Sequence, residues 1–378
     1  MRKTKGCGFF CGLSRWWDPY EANSSRTNAS FWREVSCRRF SLEEIRKATN
    51  NFAEASVVGK RNYATVYKGC IDDCDMIVAI ERSNPPDAQK GFKEFVAEID
   101  LVSRLHHPHL VSLIGYCNDK CEMILVYDYM SNGNLREHLH GTDNDPLPWK
   151  QRLEICIGAA KGLHFLHTGG KRTIIHRDVK STNILLDDKW VGKISDFGSS
   201  LTGPSGMPNT DASDDRAKGT IGYLDPESLI DLKLTEKSDV YSFGAVLFEV
   251  LCARPVIVLD GPEEERFLVL WAAQCMGNGT VDQIIDPYLT GKIAPVCLKE
   301  FLTIAKSCVR QTGIERPMMG DVVEGLEFAL RLQESADAAN EENDSGDDEP
   351  HNEYIYRGMS FGESIITSAR TDAVSSQT

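Results

Sequence analysis

His176-Arg177-Asp178-Val179-Lys180-Ser181-Thr182-Asn183, followed thirteen residues later by Asp196-Phe197-Gly198, is the stretch on which the reading of this chain turns. Asp178 is placed to accept or orient a hydroxyl proton, and Lys180, two residues on, can reach a transferring phosphate. Asn183 and Asp196 are oxygen ligands of the kind that hold magnesium, whose charge neutralises phosphates. A general base, a cation and two metal ligands in this order make a centre for phosphoryl transfer. A second stretch disagrees with the first. Val78-Ala79-Ile80 runs into Glu81, where such a centre expects a lysine.

Working outward, the coarse pattern is a small sheet lobe followed by a helical one. Ser41-Leu42-Glu43-Glu44 reads as a capping box opening a short helix through Ala48. Thr65–Ile71, Met76–Ile80 and Met123–Tyr127 read as strands, the first two joined by a Cys/Asp-rich turn. Phe92, Phe95, Val96, Ile99 and Val102 recur at helical spacing between them. Beyond Leu153 helical patterns cover 152–167, 236–253, 265–276, 297–309 and 318–332. The expected division is a basic, cysteine-bearing leader over 1–40, a small lobe over 52–130, a large lobe over 131–333 and a tail over 334–378.

The net charge of −14 is unevenly spread, because residues 334–378 carry 11 acidic and 2 basic side chains. That tail has little to bury and is expected to be disordered, and the balance argues against nucleic-acid binding. The chain has no apolar run long enough for a membrane span. Twelve cysteines fall within strand and helix patterns, which suits a reduced cytoplasmic setting. The pairs Cys7/Cys11, Cys70/Cys74 and Cys117/Cys121 have the wrong spacing for zinc, and His106, His107 and His109 read as structural. Cys7 and Cys11, beside Arg2, Lys3 and Lys5, are candidates for S-acylation, two signals that together anchor a chain at the plasma membrane; the alternative is a disordered leader.

These motifs, with Ala48-Thr49-Asn50-Asn51-Phe52, His109-Leu110-Val111-Ser112-Leu113-Ile114-Gly115 and Leu234-Thr235-Glu236-Lys237-Ser238-Asp239-Val240-Tyr241-Ser242-Phe243-Gly244, resemble the plant receptor-like kinases of the Pto and Feronia type over residues 40–332. The resemblance implies an α+β, bilobal protein-kinase fold with ATP and Mg2+ as cofactors, and Lys180 points to serine/threonine specificity. Without a membrane span, the receptor-like cytoplasmic kinase class is implied, with receptor-like kinases, immune or other signalling proteins as partners and a protein substrate if the site is active. Carried over by position, Glu98 is the helix glutamate that pairs with a strand lysine. Tyr127 is the gatekeeper, Asp128 and Met130 bond adenine at the hinge, and Val66, Ala79 and Leu185 sandwich the base. Gly219-Thr220 belongs to the substrate loop, Glu227 and Arg316 form a buried ion pair, and Asp239 braces the catalytic loop. Arg177 would clasp a phosphate on the activation segment, where Asp211, Asp214 and Asp215 offer built-in charge or a merely solvated acidic loop.

The resemblance fails at the nucleotide side. Family members carry G-x-G-x-x-G-x-V; here Gly59-Lys60-Arg61-Asn62-Tyr63-Ala64-Thr65-Val66 keeps only the first glycine. Glu81 sets a negative charge beside the phosphates and opposite Glu98. A unit-charge pair at ~4 Å is worth about 4 kcal/mol at an effective dielectric near ~20. A two-unit change there removes ~3–5 kcal/mol of transition-state stabilisation, a rate factor of order 10²–10⁴. Arg82 points to the other face by strand alternation. The residues therefore leave two readings open. One is a catalytically weak or inactive signalling pseudokinase with weak ATP binding that acts by binding partners. The other is an active kinase using Lys60 or Arg61 as a relocated cation.

Overall fold

The computed structural model describes residues 36–61, 63–84, 87–140, 145–170, 172–203, 219–230 and 234–343, with 354 and 356. Its first lobe is a six-stranded sheet in the order β1-β5-β6-β4-β3-β2. The strands are β1 (Arg38–Arg39), β2 (Val57–Arg61), β3 (Ala64–Ile71), β4 (Met76–Ser83), β5 (Leu113–Cys117) and β6 (Met123–Asp128). β2, β3, β4 and β6 run antiparallel in turn, and this fixes which residues share a face. Gly59 lies across from Val66 and Val66 across from Glu81, while Lys60, Thr65 and Arg82 form the neighbouring row.

Helix α1 (Leu42–Ala48) closes one side of the sheet. Both halves of its capping box form: Glu44 donates its N–H to the Ser41 hydroxyl, and the Ser41 N–H bonds the Glu44 carboxylate at 2.7 Å. Leu42 and Ile45 are buried with Phe40, Ile71, Val78 and Ile80, each aliphatic side chain contributing ~1.5–3 kcal/mol. The leader expected over 1–40 therefore ends earlier: Arg38–Phe40 is part of the sheet lobe, because Phe40 needs that apolar pocket and β1 pairs in parallel with β5. On the opposite side, α2 (Ala88–Val102), capped by Asp87, buries Phe95 and Ile99 against Tyr116 and Leu125.

The turn from β3 to β4 is short, with Asp72, Asp73 and Cys74 all at positive φ. Cys70 and Cys74 are joined across it as a disulfide, their Cα atoms 4.9 Å apart.

The second lobe holds α3 (Leu135–Leu139), α4 (Trp149–Thr168), α5 (Pro226–Ile230), α6 (Glu236–Cys252), α7 (Leu268–Asn278), α8 (Pro295–Cys308) and α9 (Met319–Asn343). Nearly every side chain of α6 is buried, with α4, α7 and α8 packed against it, while α9 packs on α4 and α8. Two short antiparallel pairs complete the lobe, β7 (Thr173–Ile175) with β10 (Leu201–Gly203) and the hairpin β8 (Ile184–Leu186) with β9 (Gly192–Ile194). Arg152, 1% exposed, ties α4 to the lobe through the carbonyls of Leu147 and Val250 and the carboxylate of Asp286.

The tail departs from expectation. α9 continues to Asn343, well past residue 332, and its alanine-rich stretch Ala336, Ala338 and Ala339 favours helix. Tyr356 is buried in the main core, so the disorder expected over 334–378 does not hold for these residues. Cys7, Cys11, Asp211, Asp214 and Asp215 lie outside the described residues. No helix among the described residues is long and apolar enough to cross a membrane.

Candidate active site

The catalytic loop is held from beneath by one buried carboxylate. Asp239, in the first turn of α6, accepts the backbone N–H groups of His176 at 2.8 Å and Arg177 at 2.9 Å, and the His167 ring at 2.9 Å. Burial works to raise the Asp239 pKa, but the His167 bond and the charges of His167 and His176 prevail and hold it below its ordinary value. These bonds over-determine the loop, so Arg177 sits at φ +73° without being a glycine. Asp196 is likewise left-handed, at φ +71°, with the Phe197 ring buried against His176 at 5.6 Å.

Above this brace the intact half of the site comes together. Lys180 donates to Asp178 Oδ2 at 2.6 Å and to Thr220 Oγ1 at 2.9 Å, and the Thr220 hydroxyl donates to Asp178 Oδ1 at 2.7 Å. The Asn183 amide donates to the Asp178 carbonyl at 2.8 Å. A carboxylate, an ammonium and a hydroxyl within one hydrogen-bonded triangle is a geometry in which a substrate hydroxyl, taking the place of Thr220 Oγ1, would be deprotonated beside a fixed cation. Arg177 donates to the Ser199 carbonyl at 3.3 Å at the start of the activation segment.

The nucleotide side is rebuilt around a different cation. Strand alternation sends successive side chains of β2 to opposite faces. Lys60 therefore leaves the cleft and pairs with Glu54 at 2.6 Å on the surface, which removes it as a relocated lysine. Arg61 turns inward: its Nη1 is 2.8 Å from Asp196 Oδ2 and 3.9 Å from Glu81 Oε2. Arg82, on the Lys60 face, makes a two-pronged pair with Glu122 at 2.7 Å and stacks on Phe52. Glu98 takes its hydrogen bond from the Tyr127 hydroxyl at 2.7 Å instead of from a lysine.

Three carboxylates, Glu81, Glu98 and Asp196, thus share the field of one guanidinium. Burial, then repulsion from Glu81 and Asp196, pushes Glu98 up to about 8. Burial also raises Glu81, against the pull of Arg61. Val66, Ala79 and Leu185 are half-buried; Ala79 pairs across from Tyr127, and Asp128 ends β6 just before buried Met130. Gly59 pairs across from Val66, and a Cβ there would make only ordinary contact with it. Gly198 lies where a Cβ would crowd a Glu98 oxygen at 3.2 Å.

The raised carboxylates make stability depend on pH in a definite direction. A carboxylate whose pKa is higher folded than unfolded binds its proton on folding, so stability is lost as pH rises from its ordinary value of 4.5 toward about 8. One proton gives a slope of up to about 1.4 kcal/mol per pH unit. Glu98→Gln should flatten urea-midpoint stability over that range relative to wild type, and an unchanged slope would remove Glu98 as its source.

One role assigned by position is shared with a second residue. Arg316, fully buried, bonds Asp225 at 2.7 Å and lies 3.9 Å from Glu227, so Asp225 is its main partner; Glu227 instead receives the Gly313 N–H. The stacking of His107 on Phe165 and the bond of His109 to the Gly192 carbonyl make both histidines packing groups. Among the described residues no cluster of three or more His, Cys, Asp or Glu side chains could hold a metal by itself. Asn183 and Asp196 fit the narrower task of holding magnesium jointly with phosphates, once Asp196 is released by Arg61. Sequence reasoning missed the Glu98–Tyr127 bond and the Thr220–Asp178 contact, since neither has a local signature.

Residues 52–326 match the family described as protein tyrosine and serine/threonine kinase. The chain is similar to three Arabidopsis thaliana proteins. It is 56% identical over 88% of its length to the receptor-like protein kinase FERONIA, covering 37% of that protein. It is 57% identical over 80% to the receptor-like protein kinase ANXUR2, covering 35%, and 53% over 82% to the receptor-like protein kinase THESEUS 1, covering 36%. The chain therefore spans little more than a third of the length of these relatives.

Proposed function

Because the chain belongs to the protein tyrosine and serine/threonine kinase family, we propose that it is a serine/threonine protein kinase of the plant receptor-like class whose own phosphotransfer is weak. It signals mainly by binding partner kinases, receptors or immune proteins. The observation that supports this is the charge arrangement of the cleft: Arg61 engages Asp196, and Glu81 stands where a cation is needed. ATP with Mg2+ binds weakly, because Asn183 and Asp196 can hold the metal only after the Arg61 pair opens. Bound magnesium supplies charge neutralisation at the phosphates. On the other side Asp178 takes the substrate hydroxyl proton while Lys180 steadies the transferring group. The chain works at the cytoplasmic face of a membrane, held there through Cys7 and Cys11.

A second reading has its own support. Arg61 lies close enough to Asp196 to stand in for the strand lysine, giving a competent kinase with a relocated cation. Radiolabelled autophosphorylation with magnesium and then manganese, run on wild type, Arg61→Ala and Asp178→Asn, separates the two. Under the first reading the wild-type signal is low and Arg61→Ala leaves it level or raises it. Under the second, Arg61→Ala lowers it about a hundredfold, approaching Asp178→Asn. In thermal-shift measurements ATP should stabilise the chain only when a divalent metal is present; equal stabilisation without metal would count against both readings.

A further inference from the structure

One tyrosine beyond α9 is built into the core. Tyr356 is only 4% exposed, and its hydroxyl both accepts the Ile293 N–H and donates to the Ile293 carbonyl, each at 3.0 Å. Two residues earlier, the Tyr354 N–H donates to the Gly291 carbonyl at 3.3 Å, and the Tyr354 hydroxyl accepts the Asn340 amide at 2.7 Å. The receiving loop is specialised for this. Gly291 sits at φ +76°, where a side chain would strain it. Gln333 of α9 holds the loop from the other side, through the Ala294 N–H at 2.9 Å and the Lys292 carbonyl at 3.2 Å. Both hydrogen-bonding capacities of one phenol are used on one residue's backbone, and burial keeps that phenol protonated.

We propose that Tyr356 is the plug of a tail latch and a phosphorylation site at once, so that docking and modification exclude each other. The modifying reaction needs ATP and a tyrosine-directed protein kinase. The γ-phosphoryl group leaves ADP and forms a bond to the Tyr356 oxygen, which gives up its proton. The product can no longer donate to the Ile293 carbonyl, and it carries a charge of about −1.5 to −2 that cannot be desolvated against a buried backbone. Phosphorylation therefore occurs on the undocked tail and holds it undocked, leaving the loop between α7 and α8 uncovered.

The test uses the full chain and trypsin, whose cut after Arg357 reports whether Tyr356 is docked. Cleavage there should be at least about tenfold faster in Tyr356→Ala than in wild type, and intermediate in Tyr356→Phe, which keeps the ring but loses both hydrogen bonds. A purified broad-specificity tyrosine kinase with ATP should phosphorylate Tyr356 in the intact chain at least about tenfold more slowly than in a synthetic peptide of residues 350–360. The phosphorylated chain should then be cut as fast as Tyr356→Ala. Equal cleavage of wild type and Tyr356→Ala, or equal phosphorylation of chain and peptide, would overturn the latch. Protection that vanishes on dilution would overturn it too, because the plug would then come from a second copy.

Discussion

Glu81→Lys should raise autophosphorylation by a factor on the order of 10²–10⁴, the reverse of the loss expected from a carboxylate at that position. The substituted side chain starts from β4 on the face shared with Gly59 and Val66, directed at the cleft that Arg61 also enters. A lysine there removes one of the three carboxylates and offers Glu98 an ammonium in place of the Tyr127 hydroxyl. It also repels Arg61, which favours release of Asp196 for magnesium. The rest of the catalytic side needs no repair, since Asp178, Lys180 and Thr220 already form their triangle. Incorporation of labelled phosphate, with Asp178→Asn in the Glu81→Lys background as the blank, measures the gain. A folded Glu81→Lys protein no more active than wild type would move the defect to the loop at Arg61 and Ala64, where family members carry glycine.

Asp239→Ala should be the most damaging single change to both stability and activity. It removes the acceptor for two backbone N–H groups of the catalytic loop and for His167, and all of these are buried. Breaking a buried, multiply bonded charge typically costs about 3–5 kcal/mol, because the partners left behind stay desolvated. Arg177 would no longer be held at its left-handed φ, and Asp178 moves with it. Urea unfolding at unchanged slope should show the loss as a lowered midpoint. A loss below about 1 kcal/mol would mean that water enters and takes over the bonds.

Much of this was legible in the chain itself because it is encoded locally. The capping box at Ser41 and Glu44, the alternation of β4 and the helical spacing from Phe92 to Val102 each depend on neighbours a few residues apart. The order of Asp178, Lys180, Asn183 and Asp196 marks phosphoryl transfer because chemistry restricts which residues serve there. Sequence could also state the conflict at Glu81, but not resolve which cation answers it. Lys60 and Arg61 are equivalent by charge, and only the register of β2 on β3, with its strict alternation, sends one to Glu54 and the other to Asp196. The same holds for the tail. Composition made residues 334–378 look unable to fold, since an acidic stretch buries little on its own. Tyr356 is buried because the main core takes its ring and the backbone of Ile293 meets its hydroxyl as both donor and acceptor. Local pattern determined the elements and the chemistry on offer; long-range pairing decided which charges face each other, because that depends on surfaces that exist only once the chain has folded.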